Sequence, residues 1–205
     1  MNTTDIIGLK LRHATNADIT GEIADVLFDM SLKEVGSILA DVTTPRGTAP
    51  VLISPQVLSL DGGIITATSH ADDILARHTA SLSRTSVPID PADLPSTFIG
   101  PFGNTFSPSM IAALFNARVD GAKHEVGRDK DGVWTSELLD HAVRAHVADI
   151  GHIADISLDD RFTHTNKVVI KTLAGELFES PPEALTVTRE PAGQLVITIS
   201  QDAAV

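Results

Sequence analysis

Two pairs of aspartates stand in nearly identical surroundings in this chain, Asp25 with Asp29 and Asp155 with Asp159. The first pair lies in Gly21-Glu-Ile-Ala-Asp25-Val-Leu-Phe-Asp29, the second in Gly151-His-Ile-Ala-Asp155-Ile-Ser-Leu-Asp159. Paired carboxylates can perform general acid–base catalysis or hold a hard cation. On a strand, however, residues four apart share a face at a separation of about 13 Å. That span is too long for the two groups alone to serve one metal ion or one glycosidic bond. The expected role of each aspartate is therefore structural, as an acceptor of backbone N–H bonds at a strand end or turn.

Four histidines, His141, His146, His152 and His164, fall within residues 125–205. They lack the spacing of a helix-borne zinc pair or of other zinc signatures, so surface or hydrogen-bonded imidazoles are expected. No Gly-x-Ser-x-Gly elbow, phosphate-binding glycine loop or nucleotide fingerprint occurs. Gly100-Pro-Phe-Gly103-Asn104 is glycine-rich but reads as a turn. No catalytic, cofactor-binding or metal-binding residue is assigned, no cofactor is expected, and the protein reads as a non-enzyme. A competing reading puts a small-ligand or catalytic site in a cleft between the repeats, near Asp25, Asp155 and His152.

The elements that must position these residues are mostly strands. In Gly21–Asp29, period-two alternation places Ala24, Val26 and Phe28 on an inward face and Asp25 and Asp29 on the other. Ile23 and Leu27 share the aspartates' face, which is therefore partly apolar and is expected to be buried between repeats or between chains. Ile6–Leu11 reads as an opening strand, and Val35–Val42 and Val51–Ile53 as two more. Val57–Leu60 and Ile64–Thr68 flank Asp61-Gly62-Gly63, a strong hairpin signal. Residues 70–77 read as a short helix with Asp72 and Asp73 near its start. In the second half, Ser136–Asp140 resembles the opening of the first. Ala154, Ile156 and Leu158 are expected inward on the second signature strand. Lys167–Leu173 is the next strand, and Leu185–Thr188 is paired with Leu195–Ile199. Each copy also has a Ser-Pro step, Ser54-Pro55 and Ser180-Pro181.

Five of the eleven prolines lie between Pro88 and Pro108, marking an irregular connector. Within it, Ser107-Pro108 resembles an N-cap with Pro at the first helical position. Ile111, Leu114, Phe115 and Arg118 then make one stripe of a short amphipathic helix.

Composition narrows the classes further. A chain of 205 residues with 42% hydrophobic and 20% charged residues is globular. With no Tyr, one Trp and seven Phe, its cores must be aliphatic. A formal net charge of −12 opposes direct nucleic-acid contact and docking on anionic lipid. Without cysteine there is no disulfide framework and no thiolate chemistry. Met1-Asn-Thr-Thr-Asp5 does not read as a signal peptide, and the longest apolar runs fall short of the ~20 residues a membrane helix needs. A soluble cytoplasmic protein is expected.

The order Gly-x-Ile-x-Asp-x-x-x-Asp, hydrophobic strand, then Val51-Leu-Ile-Ser-Pro55 resembles the PRC-barrel domain. That domain occurs in the cytoplasmic part of the photosynthetic reaction-centre H subunit and in a ribosome-maturation protein. The matching segments are Gly21–Asp29 with Val51–Pro55 and Gly151–Asp159 with Leu177–Pro181, so the likeness covers both halves. Where the family tends to carry Trp and Tyr, this chain has Ser31–Gly36 and Phe162–Lys167, which contain neither. The resemblance implies a mainly β protein of two small PRC-type β-barrels in tandem, with a Pro-rich connector and one or two short helices. The expected divisions are residues 1–80, 81–124 and 125–205. It implies a non-catalytic interaction or scaffold protein whose partner is another protein. A homodimer is a further expectation, and a ribosome- or RNA-processing-associated factor acting through protein contacts is the alternative to the scaffold reading.

Overall fold

The computed structural model describes residues 1–82, 98–99, 105–106, 132–145, 148–190 and 194–200. The first half begins with a helical turn α1 (Thr3–Ile6), then β1 (Lys10–His13), β2 (Thr20–Phe28), β3 (Val35–Thr44) and β4 (Gly47–Ile53). A 3-10 turn at Pro55–Val57 leads into the hairpin β5 (Leu58–Asp61) and β6 (Ile64–Ala67), followed by helix α2 (Ala71–Leu82). A two-residue pair, β7 (Phe98–Ile99) and β8 (Thr105–Phe106), stands in the connector. Next come β9 (Val133–Trp134), the turn α3 (Thr135–Leu138), β10 (Ala142–Ala145), β11 (Ala148–Leu158), β12 (Thr165–Thr172) and β13 (Leu177–Ser180). A second 3-10 turn at Pro182–Ala184 precedes β14 (Leu185–Arg189) and β15 (Leu195–Ile199).

The protein is mainly β, built on two sheets. The first has strand order β4-β3-β2-β1-β6-β5, with β9 added on β2; the second runs β13-β12-β11-β10-β15-β14. The second order is the first repeated strand for strand. In both, one contact is parallel, β1 with β6 (Leu11 opposite Ile65) and β10 with β15 (Val143 opposite Ile197). All other pairs within these sheets are antiparallel.

The expected alternation along the signature strands is corrected by a bulge. In β2, Ile23 pairs with Ala40 but Asp25 pairs with Leu39, so Ala24 is an extra residue. In β11 the same shift falls between Ile153 and Asp155 and leaves Ala154 over. One inserted residue reverses which side chains face the core. Ile23, Val26 and Phe28 therefore all enter the main core, as do Ile153, Ile156 and Leu158. Ala24 packs instead with Leu27, Leu39, Leu52 and Trp134 in a small second cluster. The apolar part of the aspartates' face is thus Leu27, covered by Trp134 from beyond the connector. Ile23 is not part of it.

Other boundaries shift for local reasons. Ile6 belongs to α1, and strand pairing starts only at Lys10. The second half repeats this, with Leu138 in α3 where Ile6 stands in α1. Helix α2 continues to Leu82, beyond the expected 70–77. The two Ser-Pro steps are not equivalent: Pro55 opens the first 3-10 turn, but Pro182, not Pro181, opens the second. Val133 and Trp134 pair with Phe28 and Leu27 of the first sheet, although the sequence reading puts them in the second unit. The connector helix expected over 107–120 lies outside the described residues.

Candidate functional site

The signature aspartates mark the site, and its geometry starts from β2. Behind its bulge, Asp25 is only 2% exposed. Its Oδ1 accepts the N–H of Val26 at 2.8 Å and that of Ser136 at 3.3 Å, and its Oδ2 accepts the Ser136 hydroxyl at 2.5 Å. Ser136 belongs to α3, which enters over β2 because β9 is hydrogen-bonded to Leu27 and Phe28. The Thr135 hydroxyl adds a bond to the Val26 carbonyl at 3.2 Å. Glu137 closes the turn by accepting the Trp134 N–H at 3.0 Å, and it pairs with Arg189 at 3.2 Å.

The second sheet makes the reciprocal arrangement. Asp155 Oδ1 accepts from Ile156 N–H at 2.8 Å and from the Thr3 hydroxyl at 2.9 Å, while the Thr4 hydroxyl donates to Oδ2. Asn2 bridges to Ser157, and the N–H of Leu158 donates to the Met1 carbonyl at 2.7 Å. Each signature strand therefore receives the entry segment of the other half. Between them, Glu34 bridges to His164, with Val35 N–H donating to Thr163 O and Thr165 N–H donating to Lys33 O, both at 2.9 Å. These paired bonds define an approximate two-fold relation between the halves.

The second aspartate of each pair lies past the strand end, in a turn, so it does not share a strand face with the first. Asp29 Oδ1 accepts the N–H groups of Lys33 and Glu34, both at 2.9 Å, and its other oxygen accepts from Ser31. Asp159 holds Thr163 and His164 in the same way, at 2.7 and 3.2 Å. Burial pushes the Asp159 carboxyl up. Hydrogen bonds from the Thr163 hydroxyl and from the His164 and Thr163 backbone outweigh it and hold the group below its ordinary value. Both turns pass through a left-handed residue, Leu32 at φ 58° and Phe162 at φ 59°. The signature glycine is also explained by contact: a Cβ at Gly21 would lie 2.5 Å from the Asp41 carbonyl oxygen, and one at Gly151 2.2 Å from that of Lys171.

The histidines do not converge. His141 donates from Nε2 to the Leu195 carbonyl at 2.9 Å. His152 lies 3.9 Å from Asp140, and His164 touches Thr163 and Asp159. His146 lies outside the described residues. Among the described residues no group of three His, Cys, Asp or Glu could hold a metal. Of the residues suggested for a cleft site, Asp25 and Asp155 each accept from a different entry segment, and His152 lies 3.9 Å from Asp140.

Two buried imidazoles carry no signal in the spacing of the sequence. His13 is held between the Ser69 carbonyl, at 2.7 Å, and the N–H groups of Thr15 and Asn16. His78, on α2, donates to the Gly47 carbonyl at 3.0 Å. An open groove of about 630 Å³ crosses the outer face of β1–β4, lined by Lys10, Arg12, Glu22, Asp41, Thr43 and Thr48 among others. Lys10 and Glu22 neutralise each other there at 2.6 Å. No helix among the described residues is long and apolar enough to cross a membrane. Compared with known proteins, the chain matches no family profile and no curated sequence.

Proposed function

We propose that the chain is a non-catalytic interaction or scaffold protein of the PRC-barrel type, with two barrel-like repeats paired in one chain. The observation that carries this reading is the occupation of Asp25 and Asp155. The acids most prominent in the sequence serve as acceptors for the opposite half's entry turn. A carboxylate bonded to neighbouring N–H and O–H donors is a clamp, and an acid–base catalyst needs a face open to substrate. The repeated strand order, the shared bulge and the equivalent turns support an origin by duplication. The barrel character, the protein partner and a cytoplasmic setting belong to the same proposal.

A net charge of −12 supports protein over nucleic acid as the partner class. The test is a thermal-shift screen of the full chain against nucleotides, sugars, metal ions and small acids. Under the scaffold reading none stabilises it in a saturable way. Saturable stabilisation that is lost on Arg12→Ala or Asp41→Asn would overturn it in favour of ligand binding in the groove on β1–β4.

A further inference from the structure

The two sheets differ at one edge. In the first, the edge strand β4 is covered by α2, whose Arg77 donates to the Leu52 carbonyl at 2.8 Å and whose buried His78 donates to that of Gly47 at 3.0 Å. Ile74, one turn before His78, reaches the main core. In the second sheet β13 is the corresponding edge, and among the described residues no helix lies on it.

The registers allow a position-by-position comparison. Asp41 pairs with Glu22 and Pro50, and Lys171 pairs with His152 and Leu177, so Leu177 stands where Pro50 does. Pro50 is buried, whereas Leu177 is 65% exposed. Leu173, in the turn between β12 and β13, is 77% exposed. The place of Leu52 is taken by Glu179, a carboxylate on the sheet surface beside Lys167. Among the described residues nothing pairs with the open side of β13, and an edge strand with one bare leucine on it and another in the turn before it is a surface that natural proteins cover.

We infer that β13 is a docking site for an amphipathic helix of a partner protein, seated as α2 is on β4. This rests on the interaction-module reading and gives its partner a chemistry. The helix would carry an aliphatic residue to lie on Leu173 and Leu177, with Arg or Lys one turn later to reach the edge carbonyls and Glu179. Glu179, at the Leu52 position, already accepts from Lys167 at 2.5 Å, so the edge carbonyls are the main target of the incoming cation, as they are for Arg77 on β4. A strand added from a second copy of this chain is the competing occupant of the same edge.

The test uses the full chain and a labelled peptide of the α2 sequence, Ala71–Leu82, followed by fluorescence anisotropy. Saturable binding is expected, weakened about tenfold or more by Leu177→Asp in the protein and by Arg77→Ala in the peptide. Because Leu177 is exposed, the Leu177→Asp protein should melt as the parent does. Absent binding, or binding indifferent to Leu177→Asp, overturns the helix site but leaves the scaffold reading standing, since that fails only on saturable small-ligand binding. Concentration-dependent dimerisation in light scattering that Leu177→Asp abolishes would overturn it in favour of edge pairing between copies.

Discussion

Asp25 and Ser136 are 111 positions apart in the chain, yet the Ser136 hydroxyl, at the surface, donates to Oδ2 of the buried Asp25 at 2.5 Å. The contact ties the turn that opens the second sheet to the central strand of the first. Its counterpart, Thr4 donating to Asp155 Oδ2, ties the opening of the first sheet to the second.

Removing a buried acceptor leaves its donors unpaired, at about 1–3 kcal/mol. Asp25→Ala should destabilise the protein by that amount in urea unfolding. A double-mutant cycle with Ser136→Ala should give coupling of about 0.5–3 kcal/mol. Asp155→Ala should cost less, because Asp155 is more exposed and its Thr4 donors lie at the surface. Equal costs for the two aspartates would contradict the difference in burial.

Phe28 is fully buried in the main core. Phe28→Ala should cost about 3–5 kcal/mol by opening a cavity. Wild-type-like melting would mean that the bulge does not orient β2 as described.

The two signature glycines leave no room for a methyl group. Gly21→Ala and Gly151→Ala should each destabilise by about 1–3 kcal/mol or more, since the obstacle is a backbone carbonyl on the neighbouring strand. Gly36→Ala should be tolerated, because its nearest obstacle is 3.6 Å away. Circular-dichroism melts of the three variants make the comparison, and a Gly36 variant as unstable as the other two would refute the steric account.

Asp140 adopts φ 62° where the first half has Gly8 at φ 88°. A non-glycine residue in this region carries strain that glycine relieves. Asp140→Gly should therefore leave stability unchanged or raise it by up to about 1 kcal/mol. A loss above that would show that its proximity to His152 matters more than the backbone.

Acid should weaken the turn at Asp159. Its folded-state carboxyl titrates below its ordinary value, so its contribution is complete above the unfolded value of about 3.9 and disappears as pH falls through the lower folded value. The stability gap between wild type and Asp159→Asn should be constant above about pH 5 and shrink below about pH 4. A gap that widens toward low pH would reverse the sign and refute the assignment.

Much of the fold was legible along the chain because turns and alternation are local. The Asp61-Gly62-Gly63 hairpin, the β14–β15 pair and the repeated signature strands stand where the residues place them. The shared bulge was not legible, since Ala24 and Ala154 become extra residues only when β3 and β12 set the register. The reading of each aspartate as a backbone acceptor describes Asp29 and Asp159 well. For Asp25 and Asp155 it covers only the bonds to Val26 and Ile156.

By itself, the sequence determined a mainly β chain in which one arrangement of strands and acids occurs twice, because each half repeats the same local pattern of apolar residues and turns. The tertiary structure alone decided what Asp25 and Asp155 hold across the two halves. A carboxylate's role depends on which donors reach it, and the hydroxyl donors for Asp25 and Asp155 come across a long chain separation that no local pattern encodes.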